Sequence, residues 1–491
     1  MHARALDLAV VLAYLAGTLL FGVFVGRKQR GVADYMVGRR DIPWWALLFS
    51  IVATETSTVT FLSIPGFAYA RDLTWLQIAL GFVLGRFAVC WLLLPGYFAG
   101  RYFSAYEVLG ERFGGAVKPL ASVLFMVTRS LADGLRLFLT AIVVEEVAGV
   151  TLATAVAMVG ATTILYTVLG GMRAVVWTDV AQFVVYIAGA VTALGLLLQG
   201  LPGGWPALVA QAGAAGKLRV SDLRLSLSDP YVLWAGLLGG MFLNIGSHGA
   251  DQLLVQRYFC ARSEKEAGRA LWTSGFVIVA QFALFLVIGL ALWAHYTASP
   301  PAVPFDRADR VFVRYIVEEM PPGVLGLVVG AIVAAAMSTL SSSLNASATA
   351  AVSDLYRPFV RPDASSGHLL GVTRLSTALF GVVQMAVAFL GPRLSESVVS
   401  EVLAIAGFTT GIILGLFFLG LFTRAGARSA VLAMLVGLTG MTVVHFATPL
   451  AWPWYALVGS LGTLAAGASA ERFWPAPLST ATGPSPARDT P

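Results

Sequence analysis

Apolar stretches long enough to cross a bilayer follow one another along almost the whole chain, and no other feature restricts its fold as strongly. They fall at roughly 5–25, 43–66, 74–98, 119–147, 151–169, 175–199, 230–255, 271–296, 323–353, 369–391, 397–422, 429–447 and 452–470, each near the 20 or so residues a helix needs to span the hydrocarbon. Backbone groups at that depth find no water, so each stretch reads as a helix. The expected class is an all-α polytopic membrane protein with about 13 transmembrane helices. Composition agrees, with 58% hydrophobic and 12% charged residues and a mean hydropathy of +0.80, more apolar than a soluble core requires. The net charge of +6 would suit a nucleic-acid binder, but the basic residues lie in short segments between apolar runs. Membrane orientation explains them better, and no nucleic-acid partner is expected.

Alternate connections hold Arg27, Lys28, Arg30, Arg39 and Arg40; Arg101, Arg112 and Lys118; Arg173; Arg257, Arg262, Lys265 and Arg269; Arg357 and Arg361; and Arg424 and Arg428. The other connections are poorer in positive charge, although 201–229 has Lys217, Arg219 and Arg224 and 297–322 has Arg307, Arg310 and Arg314. This pattern puts the chain in the cell membrane with the N-terminus outside and the C-terminus cytoplasmic. Cys90 and Cys260 are the two cysteines, and they imply no disulfide framework. The first stretch contains Asp7, lacks a small-residue cleavage site and ends in RKQRG, which reads as a retained helix. The Pro/Ser/Thr-rich segment 471–491 has no periodicity and is expected to be a disordered cytoplasmic tail.

Stretches two to six and seven to eleven form two units of odd helix number, which must therefore lie in opposite orientations, as in many secondary transporters. The expected organisation is a peripheral first helix and basic loop (1–41), a first five-helix repeat (42–200), an extracellular loop (201–229), a second, inverted repeat (230–422), two peripheral helices (423–470) and the tail. Such folds bind ions where the first helix of each unit is interrupted at mid-depth. The second stretch has Thr54, Glu55, Thr56, Ser57, Thr58 and Thr60 at its centre and Pro65-Gly66 near its end. The seventh is interrupted by Gly239-Gly240 and by Asn244, Gly246, Ser247, His248 and Gly249.

The ninth stretch carries AIVAAAMSTLSSSLNASATAAVSD at 331–354, with five hydroxyls within six residues. Helical spacing places Ala335, Ser338, Thr339 and Ser342 on one face, with Ser341 and Asn345 beside them. Such a ladder is either a small-residue packing face, its hydroxyls bonded back to their own helix, or a site for a dehydrated cation that needs several uncharged oxygens.

Four blocks, DYMVGRRDIPWW at 34–45, GGMRAVVWTDVAQ at 170–182, ADQLLVQRYFCARSEKEA at 250–267 and AAAMSTLSSSLNASAT at 334–349, resemble the solute:sodium symporter family. The resemblance covers about residues 5 to 470. It implies the LeuT-type inverted 5+5 helix repeat with one extra helix before and two after, and Na+ as coupling ion. It also implies a sodium site formed by the backbone carbonyls of Ala53, Thr56 and Ala335 with the side-chain oxygens of Ser338 and Thr339. Thr339 stands where many members have serine. The second sodium site of some members maps onto Asp179, Ser341 and Ser342, although Asp179 could instead cap a broken turn or pair with Arg173.

Ionisable side chains at bilayer depth are costly and call for a role. Arg129, Asp133 and Arg136 share one face of the fourth stretch. The expectation is that Asp133 pairs with Arg129 and leaves Arg136 to anchor a substrate carboxylate through its planar fork, or else that the three lock helices together. Glu55 is read as a substrate or proton contact or as the partner of Arg86. Thr56, Thr60, Gln77 and Phe138 are further candidates by position, as are Asn244 and His248 in the broken seventh stretch, while Trp75 or Tyr69 lies near the outer mouth. A lone histidine is more often a satisfied core residue.

There is no GxxxxGK[ST], HExxH or paired CxxC, so no enzyme is expected. The function expected is Na+-coupled symport of a small organic solute, leaning to a carboxylate or amino acid, by alternating access. The rival readings are proton coupling through Glu55 or Asp179, and a membrane sensor built on the same fold. Solute identity and oligomeric state are left open by the sequence.

Overall fold

The computed structural model describes residues 2–27, 29, 31–301, 303–394 and 396–474; the tail expected to be disordered lies, from 475 on, outside the described residues. Among the described residues the regular structure is helical. The main helices are α1 (His2–Gly26), α2 (Trp44–Glu55), α3 (Thr58–Ala70), α4 (Leu76–Leu92), α5 (Val117–Ala148), α6 (Leu152–Gly200), α7 (Gly240–Gly249), α8 (Gln252–Tyr258), α9 (Glu264–Ala298), α10 (Val324–Ala350), α11 (Ser366–Leu390), α12 (Glu396–Phe422), α13 (Ala427–Ala447) and α14 (Tyr455–Glu471). Six helices are long and apolar enough to cross a membrane among the described residues, or seven if the pair α2 and α3 is one span. Helix α5 also spans 32 residues but carries Arg129, Asp133 and Arg136. The fifth and sixth apolar stretches run together as α6, whose only non-helical residue is Gly171 (φ 53°, ψ −159°). A side chain there would also meet the Tyr35 carbonyl at 2.7 Å, so Gly171 provides both the turn and the close approach.

Helix α10 is the axis of the bundle. Every residue from Val328 to Ala350 is buried, and the helix packs on α6, α5, α1 and α11. That burial explains its small residues: alanine and serine let neighbouring backbones come close where larger side chains would hold them apart.

The second stretch breaks as its sequence suggests. Thr56 and Ser57 are extended, and α2 and α3 meet at a 67° bend. Ser57 restarts the chain as a helix N-cap, accepting from the Thr60 amide while Thr60 accepts from its own. The last carbonyls of α2 therefore lose their helical partners. In the seventh stretch the break is displaced from its expected position. Gly239 belongs to a π-helical segment (Ala235–Gly239), Asn244 to Gly249 are helical, and the interruption falls at Ala250-Asp251. The glycines serve packing instead: a side chain on Gly240 would meet the Ile78 carbonyl of α4 at 2.9 Å. Asp251 caps α8 by accepting from the Leu253 amide at 2.9 Å.

Helix α1 is held by one carboxylate. Asp7 Oδ1 accepts from the amides of Gly323 (2.7 Å) and Gly326 (2.8 Å) at the start of α10, where free N–H groups and the helix dipole favour an anion. Asp7→Ala is expected to lower stability by about 2–3 kcal/mol, seen as a lower melting temperature of the detergent-solubilised protein with Na+-binding behaviour retained.

Candidate functional site

The broken end of α2 faces the hydroxyl ladder of α10. Ser338 Oγ donates to the carbonyls of Ala53 (2.8 Å) and Ala335 (3.0 Å), and Thr339 Oγ1 lies 2.9 Å from the Thr54 carbonyl and 3.5 Å from that of Thr56. Ser338 is fully buried and Thr339 is 5% exposed. Ser338 thus gathers the carbonyls of Ala53 and Ala335, and Thr339 those of Thr56 and Thr54, the last an oxygen that the sequence did not single out. All are uncharged, as suits a hard cation of low charge, and the hydroxyl protons can turn away from an ion. The Thr56 side chain points elsewhere, donating to Val52 O (2.8 Å) and accepting from Gln281 Nε2 (2.7 Å).

Asp179 is buried and its Oδ2 accepts from Ser50 Oγ (2.6 Å), Thr54 Oγ1 (3.3 Å) and Arg257 Nη2 (2.9 Å). Arg257, counted above among loop charges, is in fact 1% exposed. It also donates to Ser50 (2.8 Å), Leu253 O (2.6 Å), Thr54 and Ser342. Arg173, the partner considered for Asp179, pairs with Asp41 at 2.9 Å instead. Ser341 and Ser342 donate to the Ser338 carbonyl at 3.3 and 2.7 Å, bonding back to their own helix, and Ser342 also accepts from Arg257. One feature still fits a cation beside them: Asp179 Oδ1 is buried without a hydrogen-bond partner, and so are both amide atoms of Gln182.

A cavity of about 630 Å³ adjoins the break, lined among others by Glu55, Thr60, Trp75, Arg129, Arg136, Ser247, Asp251, Thr339 and Trp452. Trp75 on its wall packs among aromatic rings, with centroids 6.0 Å from Trp452, 5.7 Å from Tyr231 and 5.6 Å from Phe67. The arginine pairing differs from expectation. Asp133 Oδ1 takes Arg136, while Arg129 is bonded to Asp251 and stands 3.8 Å from Asp133. Arg136 therefore has one shared carboxylate and Arg129 has two neighbours. Asp251, inside the seventh stretch, was not among the candidates, because no local signal ties it to an arginine on α5 122 residues away. Glu55 is bonded to Arg86, which is fully buried and donates also to Ser274 Oγ (3.0 Å) and Phe82 O (3.2 Å).

Of the other candidates, Gln77 is 1% exposed and does not line the cavity. Its amide donates to Thr74 O (3.1 Å) and Tyr231 O (3.0 Å) and accepts from the Asp222 amide (3.0 Å). It ties the 201–229 loop to α4 and has little capacity left for a solute. Phe138 lines a second cavity, of about 1250 Å³, with Thr58, Leu62, Arg310 and Arg314. Asn244 and His248 are buried on α7 and are not among the residues that line the first cavity.

The description "Sodium:solute symporter family" matches residues 35–437. The chain is 31% identical over 483 residues to the sodium/sialic acid symporter SiaT of Proteus mirabilis (strain HI4320), covering 96% of each. It is 30% identical over 446 residues to the human sodium/iodide cotransporter, covering 87% of this chain and 68% of that one. Among solved structures, the substrate-bound outward-open state of a Na+-coupled sialic acid symporter superposes with a TM-score of 0.89 at 30% identity, covering 95% of this chain and 98% of that chain. The nucleobase-cation-symport transporter Mhp1 shares the fold, with a TM-score of 0.57 at 14% identity over 89% of this chain and 93% of that one.

Proposed function

This chain belongs to the sodium:solute symporter family, and we propose from that premise that it carries a small organic monoanion inward with Na+ held between the α2 break and α10. It is a multi-pass membrane protein and a Na+-coupled symporter working by alternating access, not an enzyme. The observation that carries the proposal is the convergence of the Ala53 and Ala335 carbonyls on Ser338, with the Thr54 and Thr56 carbonyls on Thr339. An ion there joins two helices that must separate when the transporter changes state, so its affinity differs between states, which is the only way binding can drive the change. Asp179, with Ser341 and Ser342, is the weaker second site, because Arg257 already compensates one of its oxygens.

Charge balance supports the monoanion. Arg86, Arg129 and Arg136 face Glu55, Asp251 and Asp133 pair by pair, so these charges in and around the cavity cancel, and one Na+ is balanced by one carboxylate. Relatives named for sialic acid, iodide and monocarboxylates handle anions. Arg136 is the proposed anchor, being the less encumbered guanidinium on the cavity wall. The basic connections support an N-terminus outside and a cytoplasmic C-terminus, with 42–200 and 230–422 as the inverted repeats.

Proteoliposomes containing the purified chain are expected to accumulate a labelled organic acid when Na+ is high outside, and not with a pH gradient alone. Accumulation driven by the pH gradient without Na+ would instead make Glu55 or Asp179 a proton carrier and displace the Na+ reading.

A further inference from the structure

Far from the cation site, where the end of α1 meets the start of α11, two buried donors lack an acceptor. Arg374 Nε and Gln29 Nε2 have no hydrogen-bond partner, and the two side chains touch each other, Arg374 Nη2 donating to Gln29 Oε1 at 3.3 Å. Arg86, Arg129, Arg136 and Arg257 each have a carboxylate. Arg374 does not: no carboxylate of the described residues lies within 4.0 Å of its guanidinium, which rests instead 5.9 Å from the centre of the Tyr35 ring. An arginine on a helix that can cross the membrane is costly without a counter-charge, and unsatisfied buried donors beside it call for an explanation. Asp179 Oδ1 is an acceptor awaiting a cation; this pair has the opposite need.

The surroundings form a built site. Tyr35, 0% exposed on the short helix Val32–Val37, has its hydroxyl 3.1 Å from Thr167 O of α6 and 3.0 Å from Thr377 Oγ1 of α11, so the ring beneath Arg374 is fixed between two helices. Gln29 follows shortly after Gly26, where the apolar span of α1 ends, and the Arg374 side chain leans toward the start of its own helix to reach that level. Gly371 and Gly367 share the face of Arg374 on the turns before it. Both are exposed, and a Cβ on either would meet nothing within 4 Å. An open furrow therefore runs from the start of α11 to the guanidinium, and Leu375 and Leu379 beside it, 60% and 56% exposed, give that side of the helix a lipid-facing surface. We propose that this furrow binds the headgroup of an acidic phospholipid, with Arg374 Nε and Gln29 Nε2 donating to its phosphate oxygens. A phosphodiester supplies both the acceptors that these donors lack and the charge that Arg374 lacks, and basic pockets between membrane helices suit such headgroups. A zwitterionic lipid would bring a second cation to the same place. A free phosphate has the chemistry but no acyl chains to lie along the leucines.

The test titrates the full-length protein, delipidated in detergent, with dioleoyl phosphatidylglycerol, dioleoyl phosphatidylcholine or sodium phosphate. Affinity is read from the concentration dependence of the melting temperature, and retained lipid is counted by native mass spectrometry. Phosphatidylglycerol is expected to bind about tenfold or more tightly than phosphatidylcholine, and sodium phosphate at equal concentration to leave the melting temperature unchanged. Arg374→Gln is expected to weaken phosphatidylglycerol binding about tenfold and to lose the retained lipid, while the lipid-free melting temperature is kept or raised because an uncompensated charge is gone. Gly371→Leu, which fills the furrow without altering charge, is expected to give the same loss of binding. Arg361→Gln, at an exposed arginine on the connection before α11, is expected to behave as the unsubstituted protein. Equal affinity for the two lipids, a phosphatidylglycerol affinity that survives both Arg374→Gln and Gly371→Leu, or one that falls as far in Arg361→Gln overturns the site. Stabilisation by sodium phosphate equal to that by phosphatidylglycerol overturns the lipid as its occupant.

Discussion

Ser338→Ala is expected to raise the Na+ concentration for half-maximal uptake about tenfold or more, and Ser338→Ala with Thr339→Ala to abolish Na+-dependent uptake. Ser338 Oγ is in direct contact with carbonyls of both helices, at 2.8 Å from Ala53 and 3.0 Å from Ala335. Its removal takes away one ligand and leaves the Ala53 carbonyl, whose helical partner was lost at the α2 break, without a donor. The two consequences can be separated: Na+ titration of uptake reports the ligand, and the melting temperature without Na+ reports the orphaned carbonyl. Unaltered Na+ dependence in a folded Ser338→Ala protein would remove the ion from this position. Ser341→Ala is an informative comparison, since its hydroxyl bonds back to the Ser338 carbonyl and belongs to the weaker second site, so a smaller effect on Na+ dependence is expected.

Arg136→Ala is expected to weaken solute affinity about a hundredfold, with Arg136→Lys recovering only part of it. Losing one partner of a fully buried charge-assisted pair amounts to roughly 2–5 kcal/mol; the Arg136 side chain is 27% exposed, which places the loss toward the lower end, and a lysine supplies charge without the planar fork. The protein is expected to stay folded, because Asp133 keeps Arg129 at 3.8 Å. Arg129 gives the contrasting result. It is bonded to Asp251 at the start of α8, so Arg129→Ala leaves a buried carboxylate unpaired and is expected to lower stability more than Arg136→Ala does. Intact solute affinity in Arg136→Ala together with its loss in a folded Arg129→Ala protein would move the anchor two helical turns along α5.

Some of the site could be read along the chain because its cause is local. TETST at 54–58 puts hydroxyls and a carboxylate at mid-depth, where they compete with helical hydrogen bonds, so the break in the second stretch follows from the residues themselves. The seventh stretch was harder. Its glycines and Asn244 resemble helix breakers, yet α7 runs through them to Gly249 because α4 packs close enough to need the glycines. Gln77 shows the same limit: its position near the mouth suggests a solute contact, and three hydrogen bonds, to Thr74, Asp222 and Tyr231, use its capacity instead.

By itself the sequence determined the membrane class, the helical stretches, the polar break opposite the hydroxyl ladder and, through four motif blocks, the family. These depend on hydropathy and spacing within a segment, which need no knowledge of neighbours. Only the tertiary structure decided which buried charges compensate one another. Arg129 finds Asp251 across 122 residues and Arg257 finds Asp179 across 78, and neither pairing leaves a local periodic signal. At bilayer depth an unpaired charge is so unfavourable that each must find a partner, and which partner it finds is set by how the helices pack.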